Sequence, residues 1–268
     1  MSAARAALTA AAVLLASSPA PAAPAEHGAF LTVYERPRTS DYLVYRDGLA
    51  RERFLESVAE ELNRVLELPA SVTLAIAECG HSTTRWDGAT RVATLCYEFL
   101  DAVLVIAGDA GVSPERAEQL FSGAVTFALF AEVGRALVEL RELPAPAGAE
   151  RAGDEFAALT LAAAEHDGDT GSAAAVEFFD IALKQPDSGF EYLETHHFDR
   201  ARLETVACLL YGNAPRNHGA SLARGILPKA RAPRCAEELL AVAKSWEAAL
   251  KPYSKGPAAT PAVPPSPN

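Results

Sequence analysis

Apolar and polar positions along the first hundred residues predict a few short strands and one helix. Residues 30–35 alternate and are rich in β-forming types, which predicts a strand. Residues 46–66 carry apolar side chains at close to helical spacing, which predicts a helix. The stretches 71–79 and 90–97 predict two more strands, and the Asp87-Gly88 pair between them favours a hairpin connection.

The rest of the chain has mainly helical patterns. Ser113 followed by Pro114 is a strong helix start, and this helix is expected to run to about Leu140. Its middle, residues 124–131, is apolar nearly all round, so we expect it to be buried rather than to cross a membrane. Further helices are predicted at 150–165, 173–184, 198–211 and 236–250. The fold class is therefore α+β, mostly α, with a small N-terminal β layer and a buried central helix.

The two ends of the chain have compositions that differ from the middle. Residues 1–25 have a positive charge at Arg5, an apolar run and small residues in an A-x-A pattern, which predicts a secretory signal peptide. The alternative is an Ala-rich disordered tail. Residues 28–253 are expected to form one domain, and the Pro/Ala-rich residues 254–268 a disordered tail. The protein is thus predicted to be secreted or periplasmic, without a membrane span after signal removal.

Net charge limits the classes of partner. The chain has 24 Lys and Arg against 35 Asp and Glu, a formal net charge of −11. Binding to nucleic acid needs clustered positive charge, so no nucleic-acid partner is expected. The short basic cluster of Lys229, Arg231 and Arg234 is interrupted by Pro233 and is interpreted as a solvated loop.

The four cysteines agree with an exported protein. In an oxidising compartment they are expected to pair, and four cysteines allow three connectivities. Proximity along the chain favours Cys79–Cys96 and Cys208–Cys235, each closing a modest loop and stabilising the fold by about 3 kcal/mol. Metal binding is the competing interpretation, but the sequence has no C-x-x-C pair.

The buried helix has the frame of a zinc-binding motif without its histidines. In an H-E-x-x-H helix, two histidines four residues apart bind Zn²⁺ from one face, and the glutamate activates the metal-bound water. Here the frame reads Ala131-Glu132-x-x-Arg135. The glutamate is present, and both histidine positions hold other residues.

The residues around this frame resemble a family of exported zinc-dependent metallopeptidases, domain-of-unknown-function 4344. The family's helix motif reads roughly F-H-E-x-G-H-A-L, followed by L-P. Residues in matching positions are Phe130, Glu132, Gly134, Ala136, Leu137, Leu143 and Pro144. The likeness also includes two cysteine-bearing strands, an acidic segment at 148–157, a segment at 196–202 and a C-x-x-Y-G-x-x-P run at 208–215, and covers about residues 30–253.

The resemblance implies which residues would act in an active relative. Glu132 stands at the general-base position, and Glu150 in the acidic segment stands where the third zinc ligand is expected. His196 and Asp199, which with Arg202 would share one face of a helix, are further candidate catalytic residues. With Ala131 and Arg135 at the ligand positions, we expect no metal cofactor here, although active relatives bind zinc. Glu132 is then vestigial.

Arg135 needs an explanation, because an unpaired charge in a buried helix is very costly. One hypothesis is that its guanidinium takes the place of the metal and pairs with Glu132 or Glu150. The alternative is that Arg135 reaches solvent from an exposed helix face. A relocated metal site built from the adjacent His196 and His197 with Glu150 and Asp154 is a less favoured alternative, because neighbouring histidines on a helix seldom bind one ion.

The other histidines carry little signal. His81, His166 and His218 stand in polar, loop-like sequence and are predicted to lie at the surface, and His27 is next to the predicted cleavage region.

Together these patterns predict an exported metallopeptidase-like protein that is catalytically inactive and binds a peptide or protein. The first alternative is an active metallopeptidase or hydrolase with a rearranged metal site or none. The second is an exported helical domain with an unrelated scaffolding role.

Overall fold

The computed structural model describes residues 28–165 and 171–255. The signal peptide predicted at 1–25, most of the predicted tail, His27 and His166 lie outside these residues. Helices dominate, and a four-stranded sheet lies in the N-terminal part, as the α+β prediction requires. The helices are α1 Leu43–Arg51, α2 Phe54–Val65, α3 Tyr97–Asp109, α4 Pro114–Leu140, α5 Ala149–Ala164, α6 Gly171–Leu183, α7 Glu191–Thr195, α8 Arg200–Asn213, α9 Gly219–Ala223 and α10 Cys235–Leu250.

The sheet corrects the predicted hairpin. Its strands are β1 Phe30–Tyr34, β2 Val72–Ala77, β3 Thr84–Asp87 and β4 Val92–Cys96, in the order β1-β2-β4-β3. The two strands predicted to pair as a hairpin, β2 and β4, are parallel neighbours, and the hairpin joins β3 to β4. The structure confirms the turn at Asp87-Gly88 and adds a short, mostly polar strand before it, which the sequence pattern does not predict.

Two helical predictions also need correction. Residues 46–66 form two helices, because Arg53 adopts a left-handed conformation (φ 54°) between α1 and α2. The strand ending at Cys96 passes directly into α3, which the prediction missed. This helix is apolar on most sides and follows the strand without a turn residue. Hydrophobic periodicity alone therefore does not show where the strand ends and the helix begins.

Helix α4 is the centre of the fold. Its start is as predicted, with the Ser113 hydroxyl accepting a hydrogen bond from the N–H of Arg116 and Pro114 in the first turn. By length and composition α4 is apolar enough to cross a membrane, but 72% of its most apolar window is buried inside the protein. It packs against α5, α6, α3 and the sheet, so it is a core helix.

Both predicted disulfides are present. Cys79–Cys96 joins the ends of the parallel strands β2 and β4, and Cys208–Cys235 joins α8 to α10. The described chain has no free cysteine. Two disulfides indicate an oxidising compartment, in agreement with the predicted location outside the cytoplasm.

Candidate functional site

Four parts of the chain bring polar side chains together beneath the sheet. Helix α4 supplies Glu132 and Arg135, the first turn of α5 supplies Glu150, and β3 supplies Thr84. His196 comes from the residue that ends α7. All except Glu150 are buried, with Glu132 fully enclosed and Arg135 5% exposed.

The guanidinium of Arg135 lies between two carboxylates. Its Nε and Nη2 donate to the two oxygens of Glu132 at 3.0 and 2.5 Å, and its Nη1 donates to Glu150 Oε2 at 3.0 Å. The Thr84 hydroxyl also donates to Glu132 Oε1. The predicted pairing of Arg135 is thus confirmed for both carboxylates. The alternative, in which Arg135 reaches solvent, is wrong.

Two glycines let α4 and α5 approach closely enough for this contact. A Cβ atom on Gly134 would lie 2.8 Å from the Cβ of Phe156. A Cβ atom on Gly153 would lie 2.6 Å from the carbonyl oxygen of Ala131 and 3.1 Å from Arg135 Nη1. Gly153 therefore leaves space for the arginine at the helix crossing, and a larger residue there would displace either the helix or the guanidinium.

His196 connects Glu150 to the strand. Its Nδ1 lies 3.1 Å from Glu150 Oε2, and its Nε2 lies 2.9 Å from the carbonyl oxygen of Thr84 and 3.5 Å from Glu132 Oε1. The ring packs against Tyr192, with 4.5 Å between ring centroids. The hydroxyl of Tyr192 is buried and has no hydrogen-bond partner within the described residues.

A second arginine, Arg202, holds the main chain at His196 by a hydrogen bond. Arg202 donates to both oxygens of Asp154 at 2.7 and 2.8 Å and also to the main-chain carbonyl of His196. The prediction that His196, Asp199 and Arg202 share one helix face is wrong, because His197 has a left-handed backbone (φ 50°) that separates α7 from α8. Asp199 instead caps α8 by accepting the N–H of Arg202 at 2.9 Å.

The charges in this cluster favour the ionised forms of Arg135 and Glu150. Burial opposes the charge on Arg135, but the adjacent Glu132 and Glu150 outweigh it and raise the pKa of the guanidinium. Burial likewise opposes the charge on Glu150. The hydrogen bond to His196 and the charges of Arg135 and Arg202 outweigh that effect and lower the pKa of the carboxyl.

The residues at the Ala131-Glu132-x-x-Arg135 frame do not fit a zinc ion. Ala131 offers no donor atom, Arg135 offers only a cation, and both oxygens of Glu132 already accept hydrogen bonds from the guanidinium. Within the described residues, the one group of three His, Cys, Asp or Glu side chains close enough to share an ion is Cys79, Cys96 and Glu98. His196 and His197 with Glu150 and Asp154, considered as a relocated metal site, do not contain such a group.

The sequence profile of one family matches residues 34–250, which is most of the chain. That family, domain-of-unknown-function 4344, is described as "Putative metallopeptidase". The chain belongs to this family. No curated protein and no solved structure matches the chain. Membership places the Ala131-Glu132-x-x-Arg135 frame in a metallopeptidase family, while the side chains at the frame form an ion-pair cluster.

Sequence reasoning missed several members of this metallopeptidase-family site. Thr84 and Tyr192 were not singled out, because only the packing of β3 and α7 against α4 brings them to Glu132 and His196. The prediction that His218 lies at the surface is wrong, because this residue is fully buried beside Glu165 and Ser172. His81 is exposed as predicted and pairs with Glu191.

Proposed function

We propose that the chain is an exported, non-catalytic member of the metallopeptidase family that binds a peptide or protein. The observation that carries the proposal is the position of Arg135, which fills a zinc-ligand position and neutralises Glu132. A metallopeptidase glutamate must reach a metal-bound water, and this one is enclosed and fully engaged by Arg135 and Thr84. The disulfides support export, together with the signal peptide expected at 1–25.

Two features support retention of a peptide-binding surface. Strand β3 is an edge of the sheet and packs against α4, and beyond Thr84, whose carbonyl His196 already contacts, its outer side can pair with an extended peptide. An apolar cleft of about 260 Å³ also opens between α10 and the loop that follows α4, with Pro144, Pro146, Val242 and Trp246 among its lining residues. Such a cleft can receive an apolar side chain of a bound peptide.

Metal content provides the first test. We expect the purified protein, with both disulfides intact, to contain no bound zinc, and the Ala131→His/Arg135→His variant to bind one zinc ion per chain using Glu150 as third ligand. Arg135→Gln is the matched control, because it removes the cation without adding a ligand. Stoichiometric zinc in the natural protein would instead favour the alternative of an active hydrolase with a rearranged metal site.

Peptide retention provides the second test. We expect reduced and alkylated casein, used as an unfolded probe, to bind the natural protein without being cleaved. Val242→Asp places a charge in the apolar cleft and is expected to weaken this binding, as measured by biolayer interferometry. An absence of binding, with a folded protein, would favour an unrelated scaffolding role.

A further inference from the structure

We propose that the apolar cleft between α10 and the loop after α4 binds the chain's own Pro/Ala-rich segment, residues 256–268, in an extended polyproline II conformation. An external peptide then has to displace this segment before it can enter the cleft. The docking does not depend on the function proposed above. The competition rests on that function, because the external peptide is proposed to use the same cleft.

The lining of the cleft suits a proline-rich ligand. Pro144, Pro146 and Trp246 contribute to its walls, and Glu155 is the only ionisable residue among the described residues that line it. The indole of Trp246 is held in place by Phe156, with 5.0 Å between ring centroids. Grooves that bind polyproline II segments are lined by aromatic side chains in this way. The volume of about 260 Å³ is enough for a few small side chains.

The segment has the composition that such grooves bind. Residues 256–268 include five prolines, and Pro261-Ala-Val-Pro264 is a P-x-x-P arrangement. The segment has no charged side chain, although 22% of the whole chain is charged, so it places no charge beside the partly buried Glu155. Because proline fixes φ, the extended conformation is largely formed before binding, and docking costs less conformational entropy.

The residues just before the segment are fixed near one wall of the cleft. The guanidinium carbon of Arg141 lies 3.9 Å from the centroid of the Tyr253 ring. Arg141 ends α4, and Leu143, shortly after it, already lines the cleft. The N–H of Lys255, the last described residue, donates to the carbonyl of Val65 at 3.0 Å. The segment therefore leaves the domain from a defined point on the same side as the loop after α4.

The segment is long enough to reach the cleft. Ala249, near the end of α10, lines the cleft, and the connection from it to Lys255 spans at most roughly 20 Å. Residues 256–268 extend to about 40 Å in the polyproline II conformation. A short connection of this kind gives an effective concentration on the order of 1 mM. Even a weak contact between segment and cleft is therefore mostly formed in the intact chain.

A second groove, lined by Tyr211 and Lys229 among others, is a poorer match for the segment. It lies at the opposite end of α10, where Ala236 lines it, and about 20 Å of helix separate Ala236 from Ala249. The segment would have to run back along the whole helix before its prolines could dock there. Lys229 also adds a positive charge for which the segment has no counterpart. Distance and charge therefore both favour the cleft beside Trp246.

Fluorine NMR of the full chain tests the docking. The chain has two tryptophans, so labelling with 5-fluorotryptophan gives one resonance from Trp246 in the cleft and one from Trp86 on β3 as an internal control. We expect Pro261→Gln/Pro264→Gln to move the Trp246 resonance, because polar amides are disfavoured in the apolar cleft, and to leave the Trp86 resonance unchanged. A synthetic peptide of residues 256–268, added to this variant at about 1 mM, should restore the natural shift. With Val242→Asp also present, the peptide should no longer move the resonance.

Casein binding tests the competition separately. We expect Pro261→Gln/Pro264→Gln to bind reduced and alkylated casein roughly fivefold more tightly than the natural chain does, and an equal affinity would overturn the competition. If casein binds neither chain, the function proposed above fails, and the fluorine spectra still decide whether the segment docks. The docking is overturned if the Trp246 resonance does not move in the variant. It is also overturned if the resonance of the natural chain depends on protein concentration, which would assign the cleft to a second copy.

Discussion

Two buried polar clusters lie at opposite ends of α5, and their carboxylates are paired with different basic groups. At its N-terminal end, Glu150 and Asp154 face the guanidinium groups of Arg135 and Arg202. Just beyond its C-terminal end, Glu165 lies 3.0 Å from Nε2 of His218, with Ser172 at 3.2 Å from the same nitrogen. The side chains of Glu165 and His218 are almost completely enclosed.

The difference lies in the number of donors that each basic group offers to the carboxylates. A guanidinium has a fork of donors that satisfies a carboxylate bidentately, as Arg135 does for Glu132 and Arg202 for Asp154. The imidazole of His218 contacts Glu165 through Nε2 alone, and its Nδ1 has no partner within the described residues. The carboxylates at the N-terminal end of α5 are therefore held by more charged hydrogen bonds than Glu165 is.

Removal of Arg135 should have the largest effect. Arg135→Ala leaves Glu132 enclosed without its cation, so we expect a loss of about 3–5 kcal/mol in the free energy of unfolding. Denaturant unfolding followed by circular dichroism measures this loss. Arg135→Lys is the matched control, and it should recover only part of the loss because an ammonium cannot pair bidentately with Glu132. A loss below about 1 kcal/mol for Arg135→Ala would show that Glu132 finds another partner or becomes protonated without strain.

At the other end of α5, the replacement of His218 should cost less. His218→Ala leaves Glu165 with Asn217 and Ser172 as neighbours, so we expect a loss of about 2–3 kcal/mol from the missing hydrogen bond and the cavity. His218→Gln keeps a donor near Glu165 and should lose less than the alanine variant. If both variants destabilise the protein as much as Arg135→Ala, the contrast between the two clusters does not hold.

The sequence predicted the first cluster far better than the second, for a physical reason. Glu132 and Arg135 are three residues apart on one helix, so their contact is local, and the resemblance pointed to Glu150. Thr84 and Tyr192 reach the cluster only through tertiary packing. The same is true of His218, whose polar neighbours in sequence suggested a surface loop although α9 packs against α6 and α8. The parallel pairing of β2 with β4 was missed because it depends on contacts distant in sequence.

Acid should affect Glu165 in a defined direction. Burial alone would raise the pKa of this carboxyl, but hydrogen bonds from His218, Asn217 and Ser172 outweigh it and lower the pKa. The ionised group therefore stabilises the fold above its unfolded pKa, and that contribution is lost as the pH falls through the lower folded value. We expect Glu165→Gln to be less stable than the natural protein at pH 7 by about 1 kcal/mol, and the gap to close as the pH falls below the usual range of a glutamate carboxyl. A gap that stays constant with pH would contradict this assignment.

The coupling between Arg135 and Glu150 should be the smallest effect. Glu150 is about 40% exposed, so solvent screens its charge far more than that of the enclosed Glu132. A double-mutant cycle of Arg135→Ala with Glu150→Ala should therefore give a coupling free energy of about 0.5–1 kcal/mol, measured by denaturant unfolding at low and high salt. The same cycle with Glu132→Gln in place of Glu150→Ala should give a larger value that salt reduces less, because that pair is shielded from ions. Coupling near zero for Glu150 would restrict the stabilising ion pair to Arg135 and Glu132, and the carboxylate on α5 would then serve mainly to orient His196.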